Sequence, residues 1–233
     1  MRKMKTKIDA AREMMNKVFS RIGGQHGYEN VSADFVAFKQ FKVQWQRSYN
    51  WIAFRISDYM MDAPENVMEG LAESIFEKID GKKGLYPSDM CDWVLSDEFS
   101  IRKRPTFIKR GRYLSDGPVG KYKNLNDSIR RLVDEGLIPP DHNMMVIWNN
   151  DRRNDYASTY SVLMRTVMVS AALDDDEVDD TTLDYVVYHQ YHQILEGTRT
   201  FGTDEDIQTS RPEKGYRWFM EAENQLNRLS LAL

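Results

Sequence analysis

The sequence predicts an α+β fold in which small β-sheets are packed by helices. Three observations carry that class. Phe38–Trp45 and Trp51–Ile56 alternate or run apolar with aromatic and β-branched residues, the pattern of strands. Asp62-Ala-Pro-Glu65 opens a helical segment with proline in its first turn, and glycines at 81 and 84 close it. The same strand-strand-helix order then recurs in the second half of the chain.

The elements follow in order. Ile8–Ile22 is an amphipathic helix carrying Met14, Met15, Val18 and Ile22 on one side, ended by Gly23-Gly24. After the two strands, the proline-opened helix runs to Ile79, with Glu65 near its positive end. A shorter helix spans Ser88–Leu95. The basic run Arg102–Arg112 is expected as a solvated loop. Gly111–Gly120 reads as the boundary between an N-terminal lobe, residues 1–115, and a C-terminal lobe, residues 116–233. Beyond it come a helix Leu125–Glu135 stopped by Gly136 and Pro139-Pro140, a strand Met144–Trp148, and a polar turn Asn149–Asn154. Strands Ala157–Val162 and Thr166–Ser170 lead to the acidic loop Asp174–Asp180 and the helix Thr181–Glu196. A last helix, from about Glu213 to Leu231, sets Tyr216, Phe219, Met220, Leu226 and Leu229 near helical spacing, as a core-facing stripe does.

Superposing the halves puts Val43-Gln-Trp45 on Val146-Ile-Trp148 and Phe54-Arg-Ile-Ser57 on Val167-Met-Val-Ser170. Val67 then meets Leu183, and Glu73 meets His189. Duplication and chance recurrence both account for so short a match, and either way two related lobes are expected.

Composition narrows the function classes. The chain of 233 residues is 41% hydrophobic and 29% charged, enough for a real core as one large or two small domains. Its net charge of −4 argues against a generic nucleic-acid binder. Phe107 and Tyr113 beside the basic run have the look of a single-strand groove, but in an acidic chain the solvated reading is preferred. No apolar run approaches the roughly 20 residues of a membrane span, and the basic start lacks a signal peptide's apolar stretch, so a cytoplasmic, non-membrane protein is expected. The single cysteine, Cys91, forms no internal disulfide and no cysteine zinc cluster, and is expected as a small buried hydrophobe. Asp174–Glu177 with Asp179 and Asp180 lacks the glycine and terminal Glu of a calcium loop, so helix capping is the expected role.

The segment Tyr185-Val-Val-Tyr-His189-Gln-Tyr-His192-Gln193 reads like a zinc-peptidase helix with changed catalytic letters. Around it stand Trp148, Ser158-Thr-Tyr160, Val169-Ser170, Leu173-Asp-Asp175, Leu183-Asp-Tyr-Val-Val-Tyr-His189 and Phe219-Met-Glu-Ala-Glu-Asn-Gln-Leu226. In that order the pattern resembles the SprT-like and minimal gluzincin metallopeptidases, the predicted metal-dependent hydrolases, over about residues 120–230. The resemblance implies a zincin-like fold, in which a sheet supports an HExxH helix and a third ligand comes from downstream.

Carried over residue by residue, His189 matches the first metal ligand, Gln190 the general base and Gln193 the second ligand. An amide has no basic lone pair near neutral pH and is a poor zinc ligand beside imidazole. No histidine follows His192, so a third ligand must be acidic, from Asp204-Glu205-Asp206, Glu221 or Glu223. At 100° per residue, Leu183, Val187 and Ile194 mark the core stripe, with His189 and Gln193 on its shoulder and His192 nearly opposite.

The reading is a catalytically degenerate metallopeptidase-like protein without a cofactor, which binds a peptide or protein partner by strand addition or groove filling. The alternative is an active hydrolase with zinc at His189 and His192 and a carboxylate such as Glu196, Glu205 or Asp206. Glu196 or Asp184 would then replace the base. Nucleic-acid binding through Arg102–Arg112 is the third and least favoured class.

Overall fold

The structure is a computed structural model. It describes residues 2–151, 153, 155–203 and 215–233, with side chains from Lys7 onward. Among them are seven α-helices and two small mixed sheets of three strands, so the α+β class holds. The chain divides into two compact units, Met1–Ser96 with Gly202–Asp204, and Asp97–Phe201 with Glu205–Leu233. No helix of the described residues is long and apolar enough to cross a membrane.

In the first unit, α1 (Arg2–Gln25) precedes β1 (Asn30–Val36), β2 (Val43–Arg47) and β3 (Trp51–Ser57), followed by a 3-10 turn, α2 (Glu65–Ile79) and α3 (Ser88–Leu95). The strand order is β1-β3-β2, with β1 parallel and β2 antiparallel to β3. Alternation along β3 sends Ile52, Phe54 and Ile56 to the side where α1 places Phe19 and α2 places Phe76. The Phe54 ring sits 4.8 Å from that of Phe19 and 5.3 Å from that of Phe76, which makes it the centre of this core.

In the second unit, α4 (Asp97–Arg110) and α5 (Leu125–Asp134) precede β4 (Met145–Asn149), β5 (Ser158–Ser161) and β6 (Thr166–Ser170). A 3-10 turn, α6 (Asp180–Thr200) and α7 (Phe219–Arg228) follow. Strand order and directions repeat those of the first unit, β4-β6-β5, with Val146 paired to Val167 in the parallel ladder. Both third strands end in a serine, Ser57 and Ser170, that leads into the 3-10 turn and then the long helix.

Four expectations need correction. The repeated unit has three strands: β1 was missed, and Val43–Trp45 belongs to the second strand of its sheet whereas Val146–Trp148 belongs to the first. The basic run is helical to Arg110, because Phe99, Ser100 and Phe107 of α4 are buried and Arg104 is drawn inward to the carbonyls of Met164 and Asn143. Gly111–Gly120 lies inside the second unit, stitched to β4 by Ser115 N–H on the Trp148 carbonyl and by Trp148 Nε1–H on the Pro118 carbonyl. In the last helix, Ala222 and Leu226 face the core, while Met220 and Leu229 are 57% and 40% exposed. Its expected start at Glu213 lies outside the described residues.

Candidate functional site

Helix α6 carries the residues singled out in the sequence. Thirteen of its 21 residues are buried, because α5, α7, β5 and β6 all pack against it. Several of its polar groups are held by neighbouring elements. Asp184 takes a two-bond fork from Arg131 of α5, both at 2.6 Å; Tyr185 donates to Glu223 of α7 at 2.7 Å; and Tyr191 donates to the Pro139 carbonyl at 3.0 Å. Burial pushes the Tyr191 phenol up to about 12 and raises the Asp184 carboxyl, the latter against the opposing pull of Arg131.

The flank of α6 that faces β5 is fixed by Gly197. A Cβ at Gly197 would lie 2.5 Å from Val162 Cγ2, immediately beyond the end of β5. At 100° per residue, Gln190 and Gln193 stand within about 40° of Gly197, so they share that flank. Both are buried, at 3% and 6% exposure, and Gln190 Oε1 has no hydrogen-bond partner among the described residues. His189 lies beside them, half-buried, its ring 6.3 Å from that of Tyr185.

His192 does not face solvent as the helical wheel suggested. It is half-buried, edge-on to Tyr188 at 4.5 Å, because α6 is packed on more than one side. Burial holds its imidazole below the ordinary value despite a hydrogen bond to the Leu137 backbone, so the ring is neutral at pH 7.

The proposed acidic ligands among the described residues are engaged separately or exposed. Glu196 is bound by Arg199 at 2.6 Å, which holds its carboxyl below the usual range. Glu223 accepts from Tyr185, Glu221 is exposed, and Asp184 is held by Arg131. Glu205 and Asp206 lie outside the described residues. Among the described residues no three His, Cys, Asp or Glu gather where a metal could sit. A catalytic tetrahedral zinc needs three protein ligands and an open position, and the donors among the described residues do not make up that set.

Sequence reasoning missed two features of the sheet margins. Ala232 joins the chain just ahead of β5: the Ala157 N–H donates to the Ala232 carbonyl at 2.6 Å, and the Ala232 N–H to the Asp155 carbonyl at 2.8 Å. The apolar triplet Leu231-Ala-Leu233 after α7 was the available signal. The second is a polar hollow of about 640 Å³ at the carboxyl ends of β4 and β6, bordered by Lys121, Asn149, Ser170 and Asp174. Ligands of open parallel sheets favour such an end. The Asp174 carboxylate there is taken up by the backbone N–H groups of Lys121, Tyr122 and Lys123, so it acts as a loop clamp.

No protein-family model matches the chain, and no curated protein or solved structure matches it.

Proposed function

We propose that the second unit is a zincin-like scaffold with degenerate catalytic chemistry, and that the protein works as a non-catalytic module for a peptide or protein segment. The observation that carries this reading is the pair of buried amides, Gln190 and Gln193, on the flank of α6 turned to β5. The resembled peptidases hold their general base and second metal ligand at those positions. An amide takes no proton from water at neutral pH, and base assistance alone is worth about 10²–10⁴ in rate. The strand side of this flank is suited to an extended segment, since a strand margin offers backbone donors and acceptors at a fixed spacing.

Metal content and proteolysis test the first half. The purified chain, incubated with zinc and dialysed, retains no stoichiometric metal and cleaves no peptide. Gln190→Glu with Gln193→His raises zinc retention, because a second imidazole then stands one turn from His189. One zinc per wild-type chain, with proteolysis abolished by a chelator, overturns the reading in favour of a rearranged site at His189 and His192. The second half is read by amide exchange: an extended peptide slows exchange along Ser158–Ser161 if it docks there, and leaves it unchanged if it does not.

A further inference from the structure

We propose that the outer margin of β2 is a docking site for an acidic peptide in extended conformation, which joins the first unit's sheet as a fourth strand. This site belongs to the other unit and does not rest on the reading of α6.

The sheet margins are treated differently. On β1, the Asn16 amide of α1 closes the outer side, donating to the Ala33 carbonyl at 2.8 Å and accepting from the Ala33 N–H at 2.9 Å. On β4, Leu114 bridges Asn149, and Ala232 covers the chain ahead of β5. Among the described residues β2 has no such cover, and every residue from Gln44 to Asn50 is exposed. The Ser57 N–H bonds to the Lys42 carbonyl and the Ser48 N–H to the Trp51 carbonyl, which fixes the alternation of the antiparallel ladder. Lys42, Gln44, Gln46 and Ser48 therefore turn their backbone groups to β3, while Val43, Trp45 and Arg47 turn theirs outward. Three residues present unpaired donors and acceptors at strand spacing.

Charge selects the occupant. Between Asp34 and Asp58 the chain has no acidic residue but carries Lys39, Lys42, Arg47 and Arg55, although the whole chain is net −4. Phe38 gathers two of these cations at one end of β2, with Lys42 Nζ 4.6 Å and the Arg55 guanidinium carbon 5.6 Å from its ring centre. Arg47 stands at the other end, about 17 Å away at strand rise. Between them Trp45 is 42% exposed beside a hollow of about 510 Å³ formed with Gln44, Gln46, Ala53 and Arg55. Strand alternation puts Lys42 on the face of Gln44, Gln46 and Arg55, and Trp45 on the other face with Arg47, which also donates to the Tyr28 hydroxyl at 3.2 Å, so an extended segment with carboxylates on both faces matches this margin.

Cations on a sheet margin also protect against aggregation. Protection explains Lys42 and Arg47, but it does not explain an indole left in the open between them. A second copy of the chain is a poor occupant. Pairing of two copies along β2 would bring together two margins that carry Lys39, Lys42, Arg47 and Arg55 with no acidic residue, and like charges across a strand pair repel.

The test uses the full chain and fluorescein-labelled nonapeptides in which Glu residues stand on both faces of the extended chain among Val and Thr. The expected result is saturable anisotropy that weakens with salt, with at least about tenfold weaker binding of the same peptide carrying Lys for Glu. N-methylation of the peptide amides on its β2-facing side abolishes binding, whereas methylation on the other side, with charge unchanged, does not. Lys42→Glu with Arg47→Glu reverses the preference to the Lys peptide and leaves the circular dichroism spectrum intact. Three results overturn the proposal: indifference to N-methylation, tighter binding of single-stranded oligothymidylate than of the acidic peptide, or self-association abolished by the charge reversal.

Discussion

Asp174 shows how one side chain organises a loop. Burial alone would raise its carboxyl, yet the three N–H groups of Lys121, Tyr122 and Lys123 hold it below the ordinary value, helped by the charge of Lys121. Gly120 is the consequence: a Cβ there would stand 2.4 Å from Asp174 Oδ1. Gly120→Ala therefore destabilises by about 1–3 kcal/mol, as overpacking does. Asp174→Ala costs about 1.5–3 kcal/mol at pH 7, the range for hydrogen bonds to a charged group. The pH dependence follows from the direction of the shift. A depressed folded-state carboxyl contributes stability above the unfolded value of about 3.9, and that stability is lost as pH falls through the folded value. Urea midpoints of wild type and Asp174→Ala are thus separated at pH 7 and converge below about pH 4. A separation that persists at acid pH would mean the N–H clamp is not what Asp174 provides.

At the scale of elements, the contact of α6 with the end of β5 is tight at one point, Gly197 on Val162. Gly197→Ala is expected to cost about 1–3 kcal/mol, since the new methyl has to displace a branched side chain. Val162→Ala in the same chain removes Cγ2 and recovers most of that loss, a coupling that a double-mutant cycle in urea measures. Additive losses would show that the strain of Gly197→Ala does not arise at Val162. The same elements show what the sequence revealed and what it hid. The parallel partners Val146 and Val167 were legible because β4 and β6 carry near-continuous apolar runs. Helix α6 was legible in extent, but its burial on several sides was not, because its Asp, Gln, His and Tyr look solvated until Arg131, Glu223 and the Pro139 carbonyl are in place. β1 did carry the alternation of a strand, Val31, Ala33 and Phe35 between Asn30, Ser32 and Asp34, but its polar residues and its place directly after the Gly27 turn made it look like loop. α4 was hidden by Pro105, which lacks the N–H for the Ile101 carbonyl, and by basic residues of which only the burial of Arg104 betrays a helix. Of the candidate site, the sequence exposed the substituted amides. It could not expose which flank they share, since that depends on the contact at Gly197.

At the scale of the whole molecule, helix, three strands, 3-10 turn and helix recur in the same order with the same strand directions, and each copy has its own apolar centre. The first is built on Phe19, Phe54 and Phe76, and the second on the cluster from Leu125 and Trp148 to Val187, Ile194 and Leu226. A unit with its own core and its own sheet satisfies the requirements of a domain. The continuous part of the first unit ends at Ser96, between α3 and α4, and the unit's other piece is only Gly202–Asp204. Residues 1–96 expressed alone are therefore expected to fold, with a far-ultraviolet spectrum of mixed helix and strand and a single cooperative urea transition. Stability will be modest, because a domain below about 100 residues buries a smaller share of its surface. Phe54→Ala in that fragment removes the ring shared by two aromatic contacts and should cost about 3–5 kcal/mol, enough to abolish the transition in a marginal domain. A fragment without cooperative unfolding, or one indifferent to Phe54→Ala, would show that the first apolar centre does not hold a fold by itself, and the two copies of the pattern would then be one cooperative unit.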